Sequence, residues 1–136
     1  MRIVLDTNVV VSAVFWGGKP LDVLRAWVKG RFEVVASPEI LWEYEQTLLD
    51  LSKENITPDL QYWLGMLNER VRLIQPHREI KLCRDPKDDK FLSCTFSGGV
   101  DYLVSGDRDL RVLKEIEGIE ILPPAAFLRK HPELLA

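Results

Sequence analysis

Short apolar runs alternate along the chain with segments in which apolar residues recur every three to four positions. The runs typical of buried parallel strands cover residues 2–5, 32–36, 71–74, 102–105 and 119–122. Strands that alternate with helices at such short spacing are joined by right-handed crossovers. The pattern therefore predicts an α/β fold, a parallel β-sheet flanked by helices on both faces.

Several helix starts are marked by a proline directly after a capping residue, the usual order at a first helical turn. Ser37-Pro38, Thr57-Pro58 and Asp85-Pro86 carry this signal. Apolar periodicity predicts further helices from residue 7 to the glycine pair at 17 and 18, from 20 to 30 and from 124 to 130.

The length and the cysteine content narrow the class of protein. A chain of 136 residues can build one full core, so we expect a single domain over residues 1–136. The two cysteines are too few for a disulfide framework, and no apolar run approaches the roughly 20 residues that span a bilayer. We expect a cytoplasmic protein without a membrane segment.

Acidic residues fall where the predicted strands end. Asp6 ends the first strand, Asp107 follows the fourth, and Asp89 lies in the first turn of the helix before the fourth strand. Glu43 joins them if its helix starts at Ser37. Ligands of parallel sheets bind beyond the carboxyl ends of the strands, so we expect a site at this edge.

Crowded carboxylates repel one another unless a cation lies between them. Oxygen ligands select hard ions, which favours Mg²⁺ or Mn²⁺, whereas zinc would recruit histidine or cysteine. His77 and His131 lie outside the acidic segments. The chemistry that follows is metal-assisted hydrolysis of a phosphodiester bond. The sequence contains no GxSxG elbow, catalytic cysteine motif or Walker loop that would favour another reaction.

The net charge of −3 excludes binding of nucleic acid by bulk electrostatics. A local basic cluster remains, and we expect it to steer the backbone of a nucleic acid if it is not simply a solvated face. Its members are Arg70, Arg72, Arg78, Lys81, Arg84, Lys87 and Lys90.

Four segments, MRIVLDTNVVVSA, SPEILWEYEQTL, RDPKDDKFLSC and GGVDYLVSGDRDL, resemble the PIN-domain nucleases. Within that family the chain is most similar to the small VapC-like proteins of toxin-antitoxin pairs. The resemblance implies a three-layer α/β/α fold and an Mg²⁺- or Mn²⁺-dependent ribonuclease.

The resemblance also implies roles for individual residues. The catalytic and metal-binding acids would be Asp6, Glu43, Asp89 and Asp107, and Asp109 matches a position that often adds a fifth metal ligand. Asp88 stands beside Asp89, and the phase of the following apolar residues favours Asp89 as the one that faces the metal. The expected substrate-binding residues are Asn8, Ser105, Arg84, Lys87 and Lys90. Ser105 replaces the family's usual threonine and keeps the hydroxyl.

Partners follow from the same resemblance: an RNA substrate, a small antitoxin protein and a second copy of the chain. The exposed aromatic candidates for such contacts are Trp16, Trp42 and Trp63. One alternative is a catalytically silent PIN-like module that binds RNA or protein. Another is a phosphatase of the haloacid dehalogenase type, which needs a second aspartate where this chain has Asn8.

Overall fold

The computed structural model describes residues 1–115 and 117–136, together with the backbone of residue 116. The strands are β1 (Arg2–Leu5), β2 (Glu33–Ala36), β3 (Arg72–Leu73), β4 (Tyr102–Val104), β5 (Glu115–Ile116) and β6 (Ile119–Leu122). The helices are α1 (Thr7–Phe15), α2 (Gly18–Val28), α3 (Pro38–Ser52), α4 (Leu60–Arg70), α5 (Asp89–Ser97), α6 (Arg108–Arg111) and α7 (Pro124–Lys130).

The strands form one sheet in the order β3-β2-β1-β4-β6-β5. The first five of these are parallel, and β5 pairs antiparallel with β6 at the edge. Helices cover both faces, so the predicted three-layer α/β/α architecture is confirmed. After β3 at one edge of the sheet, the chain returns to the centre and forms β4 on the other side of β1. The strand order therefore reverses between β1 and β4, and this topological switch point is where such sheets bind ligands.

The centre of the sheet sets the position of the acidic residues. Leu5 of β1 lies opposite Val104 of β4, and the N–H of Asp6 continues the ladder with a 3.0 Å hydrogen bond to the carbonyl of Val104. Asp6 and Ser105 therefore leave adjacent strands at the same edge.

Helix α3 is attached to the same edge through Tyr44. This side chain is fully buried, and its hydroxyl donates a hydrogen bond to the carbonyl of Leu5. The side chain of Ser37 accepts the N–H of Ile40 at 3.2 Å, which is the predicted N-cap of α3. Cap and tyrosine together place Glu43 beside the end of β1.

Several predicted boundaries were wrong. Strand β3 has two residues rather than four, and both are exposed. The signal at Thr57 does not cap α4, which begins at Leu60, because the Thr57 hydroxyl instead bonds the carbonyl of Val14. The turn after Asp85 is a 3-10 helix over Pro86–Asp88 that precedes α5. Strand β5 was not predicted, since two residues carry no periodic signal.

Among the residues described, no helix combines the length and the apolar character needed to cross a membrane.

Candidate active site

A chain of hydrogen bonds connects the ends of β1 and β4. Asp6 is 4% exposed, and its Oδ2 accepts the Ser105 hydroxyl at 2.7 Å. The same Ser105 oxygen accepts the N–H of Asp107 at 3.0 Å. Asp107 in turn caps α6, because its Oδ1 accepts the N–H of Asp109 at 2.8 Å. Ser105 thus joins the carboxylate of Asp6 to the backbone of Asp107.

Asp6 is the least hydrated of these acids, and its pKa reflects this. Burial raises the pKa of Asp6 above its usual value, while the hydrogen bond from Ser105 acts in the opposite direction. The negative charges of Asp107 and Glu43 raise the pKa further. The predicted crowding of carboxylates at this sheet edge therefore has an electrostatic consequence for Asp6.

Asp88 is the third acid whose charge is felt in this cluster. Burial raises the pKa of Asp88 to about 6, and the charges of Asp107 and Asp6 add to the increase. Asp88 ends the 3-10 turn that leads into α5. We call Asp6, Asp88 and Asp107 the acidic triad, because Asp107 acts on both Asp6 and Asp88 and Asp6 acts on Asp88. Glu43 also acts on Asp6 but has its own partners.

Asp89, the acid that the sequence favoured, is directed elsewhere. Its Oδ1 accepts the N–H groups of Cys83 at 2.8 Å and of Leu82 at 3.1 Å. Burial raises its pKa, but these hydrogen bonds outweigh burial and hold the pKa of Asp89 below its usual value. Asp89 therefore anchors the segment before the 3-10 turn. The choice of Asp89 stays a prediction; we propose Asp88 as the neighbour that faces the metal, because the Oδ1 of Asp89 is already bonded to two N–H groups.

Glu43 lies beside Asp6, as expected, but both of its oxygens already have partners. The hydroxyl of Thr7 donates to Oε2, and the ammonium of Lys90 lies 2.8 Å from Oε1. Neither contact was predicted from the sequence. The sequence carried one signal for the contact between Thr7 and Glu43: Thr7 directly follows Asp6 at the end of the first strand.

The expected substrate-binding residues occupy different environments. Asn8 is exposed in the first turn of α1. Ser105 is fully buried and bonded to two acids, so in this structure it positions carboxylates rather than facing substrate. Arg84 and Lys87 are exposed, and neither has an ion-pair partner among the described residues. Lys90 is ion-paired with Glu43.

Most of the basic cluster is occupied by contacts within the protein. Arg70 donates to the carbonyls of Trp27 and Val28. Arg72 pairs with Glu33, Arg78 with Glu117, and Lys81 with Glu79. The expectation that the whole cluster steers RNA is thus reduced to the unpaired cations near the 3-10 turn.

A groove of about 1040 Å³ opens beside Lys90. One wall is the segment from Gln75 to Cys83, and the other is formed by the starts of α3 and α5. Asp89 lines the groove, whereas Asp6 and Asp107 do not. The groove therefore lies beside the start of α5 and does not include the acidic triad.

The donor set of the triad fits a hard divalent ion in kind. All its ligand atoms are carboxylate oxygens, and the raised pKa values of Asp6 and Asp88 are what a bound cation would relieve. The carboxylates of the triad do not form a complete set of ligands. Among the described residues, no three acids, histidines or cysteines lie close enough together to hold one ion. Mg²⁺ tolerates such a site because it keeps several waters and needs only one or two carboxylates.

The two cysteines do not offer a competing nucleophile. Burial raises the pKa of both Cys83 and Cys94 to about 12, so both thiols are protonated at neutral pH.

The comparison with known families identifies the class of this protein. The PIN domain family matches the sequence over residues 2–109, and the chain belongs to that family. PIN domains are generally nucleases and usually use divalent metals. This membership gives no support to the phosphatase alternative.

The chain is also similar to individual proteins. An uncharacterized protein of Methanocaldococcus jannaschii, MJ1680, is 26% identical over 126 residues, which cover 85% of this chain and 76% of that protein. A chain of VapBC2 from Rickettsia felis, in a structure bound to a DNA fragment from their promoter, has a TM-score of 0.58 and 16% identity, covering 89% of this chain and 97% of that one. PAE2754 from Pyrobaculum aerophilum has a TM-score of 0.61 and 14% identity, and the match covers 95% of this chain and 88% of PAE2754. At these identities the two structures establish the shared fold.

Proposed function

We propose that this protein is an endoribonuclease that hydrolyses RNA phosphodiester bonds with Mg²⁺ or Mn²⁺. The observation that carries the proposal is the buried carboxyl of Asp6, which Ser105 ties to Asp107 and whose charge acts on Asp88. A buried carboxylate with raised pKa at the switch point of a parallel sheet is typical of a functional site. Membership of a family of nucleases supports the same conclusion.

The acidic triad would hold the divalent ion. When bound there, the ion would lower the pKa of a water ligand and stabilise negative charge on the phosphate. Ser105 holds the Asp6 carboxylate and the backbone of Asp107 in place by its two hydrogen bonds. Asp109 follows Asp107 by two residues in the first turn of α6, where it would be available as a further acid beside the triad.

The groove and the unpaired cations would guide the substrate. Arg84 precedes the 3-10 turn that carries Asp88 and Lys87 lies within it, so their charges would lie next to the proposed scissile position. A single-stranded backbone that follows the groove past Lys90 would meet these cations before it reaches the triad.

We further propose that the protein acts in the cytoplasm as the toxin of a toxin-antitoxin pair. The similarity in fold to a chain of VapBC2 supports this role. Trp16 and Trp42 are 66% and 63% exposed and suit contact with a small antitoxin or a second copy of the chain. Trp63 is buried and is not available for such contact. A short adjacent reading frame whose product binds this protein and inhibits cleavage would support the toxin role.

Cleavage of labelled single-stranded RNAs in Mn²⁺ tests the proposed activity. We expect Asp6→Asn and Asp88→Asn to lower the rate by at least about 100-fold relative to the wild type. Asp50→Asn is the matched control, because Asp50 is exposed at the far end of α3. Equal cleavage by the wild type and Asp6→Asn would contradict the proposal. RNA binding without cleavage by the wild type would favour the silent PIN-like module.

A further inference from the structure

Lys90 is held firmly beside the acids although lysine side chains are usually mobile and exposed. Its side chain is 14% exposed, and its ammonium lies 2.8 Å from Oε1 of Glu43. The same ammonium donates to the carbonyl of Lys87 at 2.6 Å and lies 5.2 Å from the centroid of the Phe91 ring. An anion, a carbonyl and an aromatic face thus surround this positive charge.

Glu43 is correspondingly unavailable as a ligand. Thr7 donates to one of its oxygens and Lys90 compensates the charge on the other. Thr7 follows Asp6 directly in the chain, so the Glu43–Lys90 pair lies next to the triad. A divalent ion bound to Glu43 would have to displace the Lys90 ammonium and its hydrogen bond to the carbonyl of Lys87.

We propose that Lys90 is a built-in counter-ion that takes the place of a second divalent metal. Four acids lie at this edge of the sheet, and Lys90 compensates one of them, so three remain for metal. The triad therefore binds one divalent ion, and Glu43 serves to position Lys90 and Thr7 rather than to ligate metal. In two-metal sites the second position is filled by an ion about 4 Å from the first. Here the Lys90 ammonium would supply the compensating charge at Glu43 instead.

This inference rests on the proposed metal site and is tested by ion stoichiometry rather than by activity. Mn²⁺ binding to the full chain is followed by calorimetry and by loss of the free-ion electron paramagnetic resonance signal. We expect one ion per wild-type chain, one for Lys90→Arg, and two for Lys90→Met, in which Glu43 is released. Lys53→Met is the matched control, because Lys53 is exposed beyond the end of α3 and should leave the stoichiometry at one.

Glu43→Gln provides a second, independent readout. We expect Glu43→Gln to bind one Mn²⁺ per chain, as the wild type does, because the Glu43 carboxylate is paired with Lys90 and Thr7 rather than with the ion. The double variant Lys90→Met, Glu43→Gln should return to one ion, and thermal melts confirm that each variant is folded.

Two ions in the wild type, or one ion of unchanged affinity in folded Lys90→Met, would overturn the role of Lys90 while leaving the metal site intact. If the wild type bound no Mn²⁺ at all, this would instead overturn the metal site and this inference with it.

Discussion

The Ser105 hydroxyl lies between two carboxyl-bearing residues, donating to Asp6 and accepting from the N–H of Asp107. Both residues of the first pair are almost fully buried. Because β1 and β4 are adjacent and parallel, this contact joins residues 99 positions apart in the chain. The acidic triad depends on it for its geometry.

Removing the Ser105 hydroxyl should therefore affect both the stability of the protein and the pKa of Asp6. Ser105→Ala leaves a buried carboxyl without its donor, and we expect a loss of about 1–2 kcal/mol in the free energy of unfolding. The pKa of Asp6 should rise further, because the hydrogen bond that lowers it is gone. Carbon NMR of the Asp6 carboxyl during a pH titration measures this shift. Ser105→Thr keeps the hydroxyl and should keep the wild-type pKa; an unchanged pKa in Ser105→Ala would contradict the argument.

The raised pKa of Asp88 makes the metal-free protein sensitive to pH. The pKa of Asp88 is about 6 in the folded chain, against an ordinary value of 3.8. Between these two pH values the folded chain therefore binds a proton that the unfolded chain does not. The free energy of unfolding of metal-free protein should therefore increase as the pH is lowered from about 7 through 6 towards 4. Denaturant melts across this range measure it. The difference between the wild type and Asp88→Asn isolates this group, and parallel profiles for the two would contradict its raised pKa.

Asp88 and Asp89 should respond to mutation in opposite ways. Asp88→Asn should weaken Mn²⁺ binding by at least about tenfold with little loss of stability, because it removes a triad member. Asp89→Asn should lower the free energy of unfolding by about 1 kcal/mol, since it weakens bonds to the N–H groups of Leu82 and Cys83 at a partly exposed site. Its Mn²⁺ affinity should stay near that of the wild type. The reverse pattern would restore Asp89 as the ligand.

The two unpaired cations should act on the substrate and not on the metal. Replacing both Arg84 and Lys87 by alanine should raise KM for RNA and reduce the slope of log affinity against log salt by about 1.4, the value for two lost phosphate contacts on a single strand. Mn²⁺ affinity should not change. Lys53→Ala is the control, and an unchanged salt slope in the double variant would exclude Arg84 and Lys87 from the RNA-binding surface.

The sequence predicted the elements whose signals are local. The apolar run before Asp6, the cap at Ser37 and the acid after the fourth strand placed Asp6, Glu43 and Asp107 at one edge of a parallel sheet, and the structure has them there. These positions follow from strand ends and a helix start, which short segments specify by themselves.

What the sequence left undetermined depends on contacts between distant segments. A 3-10 turn over Pro86–Asp88 lies between the Asp85 cap and α5, and no periodicity predicts one turn of tighter winding. The pairing of Lys90 with Glu43 joins α5 to α3 across the site. A charged residue in a basic cluster reads as solvent-facing until its partner is known.

Anomalous scattering from crystals grown with Mn²⁺ shows whether Asp6, Asp88 and Asp107 together hold a divalent ion. We predict a single peak whose carboxylate ligands, at about 2.1 Å, are drawn from these three residues, with waters completing an octahedron. Strong peaks only at other carboxylates, or no peak near Asp6 at millimolar Mn²⁺, would contradict it.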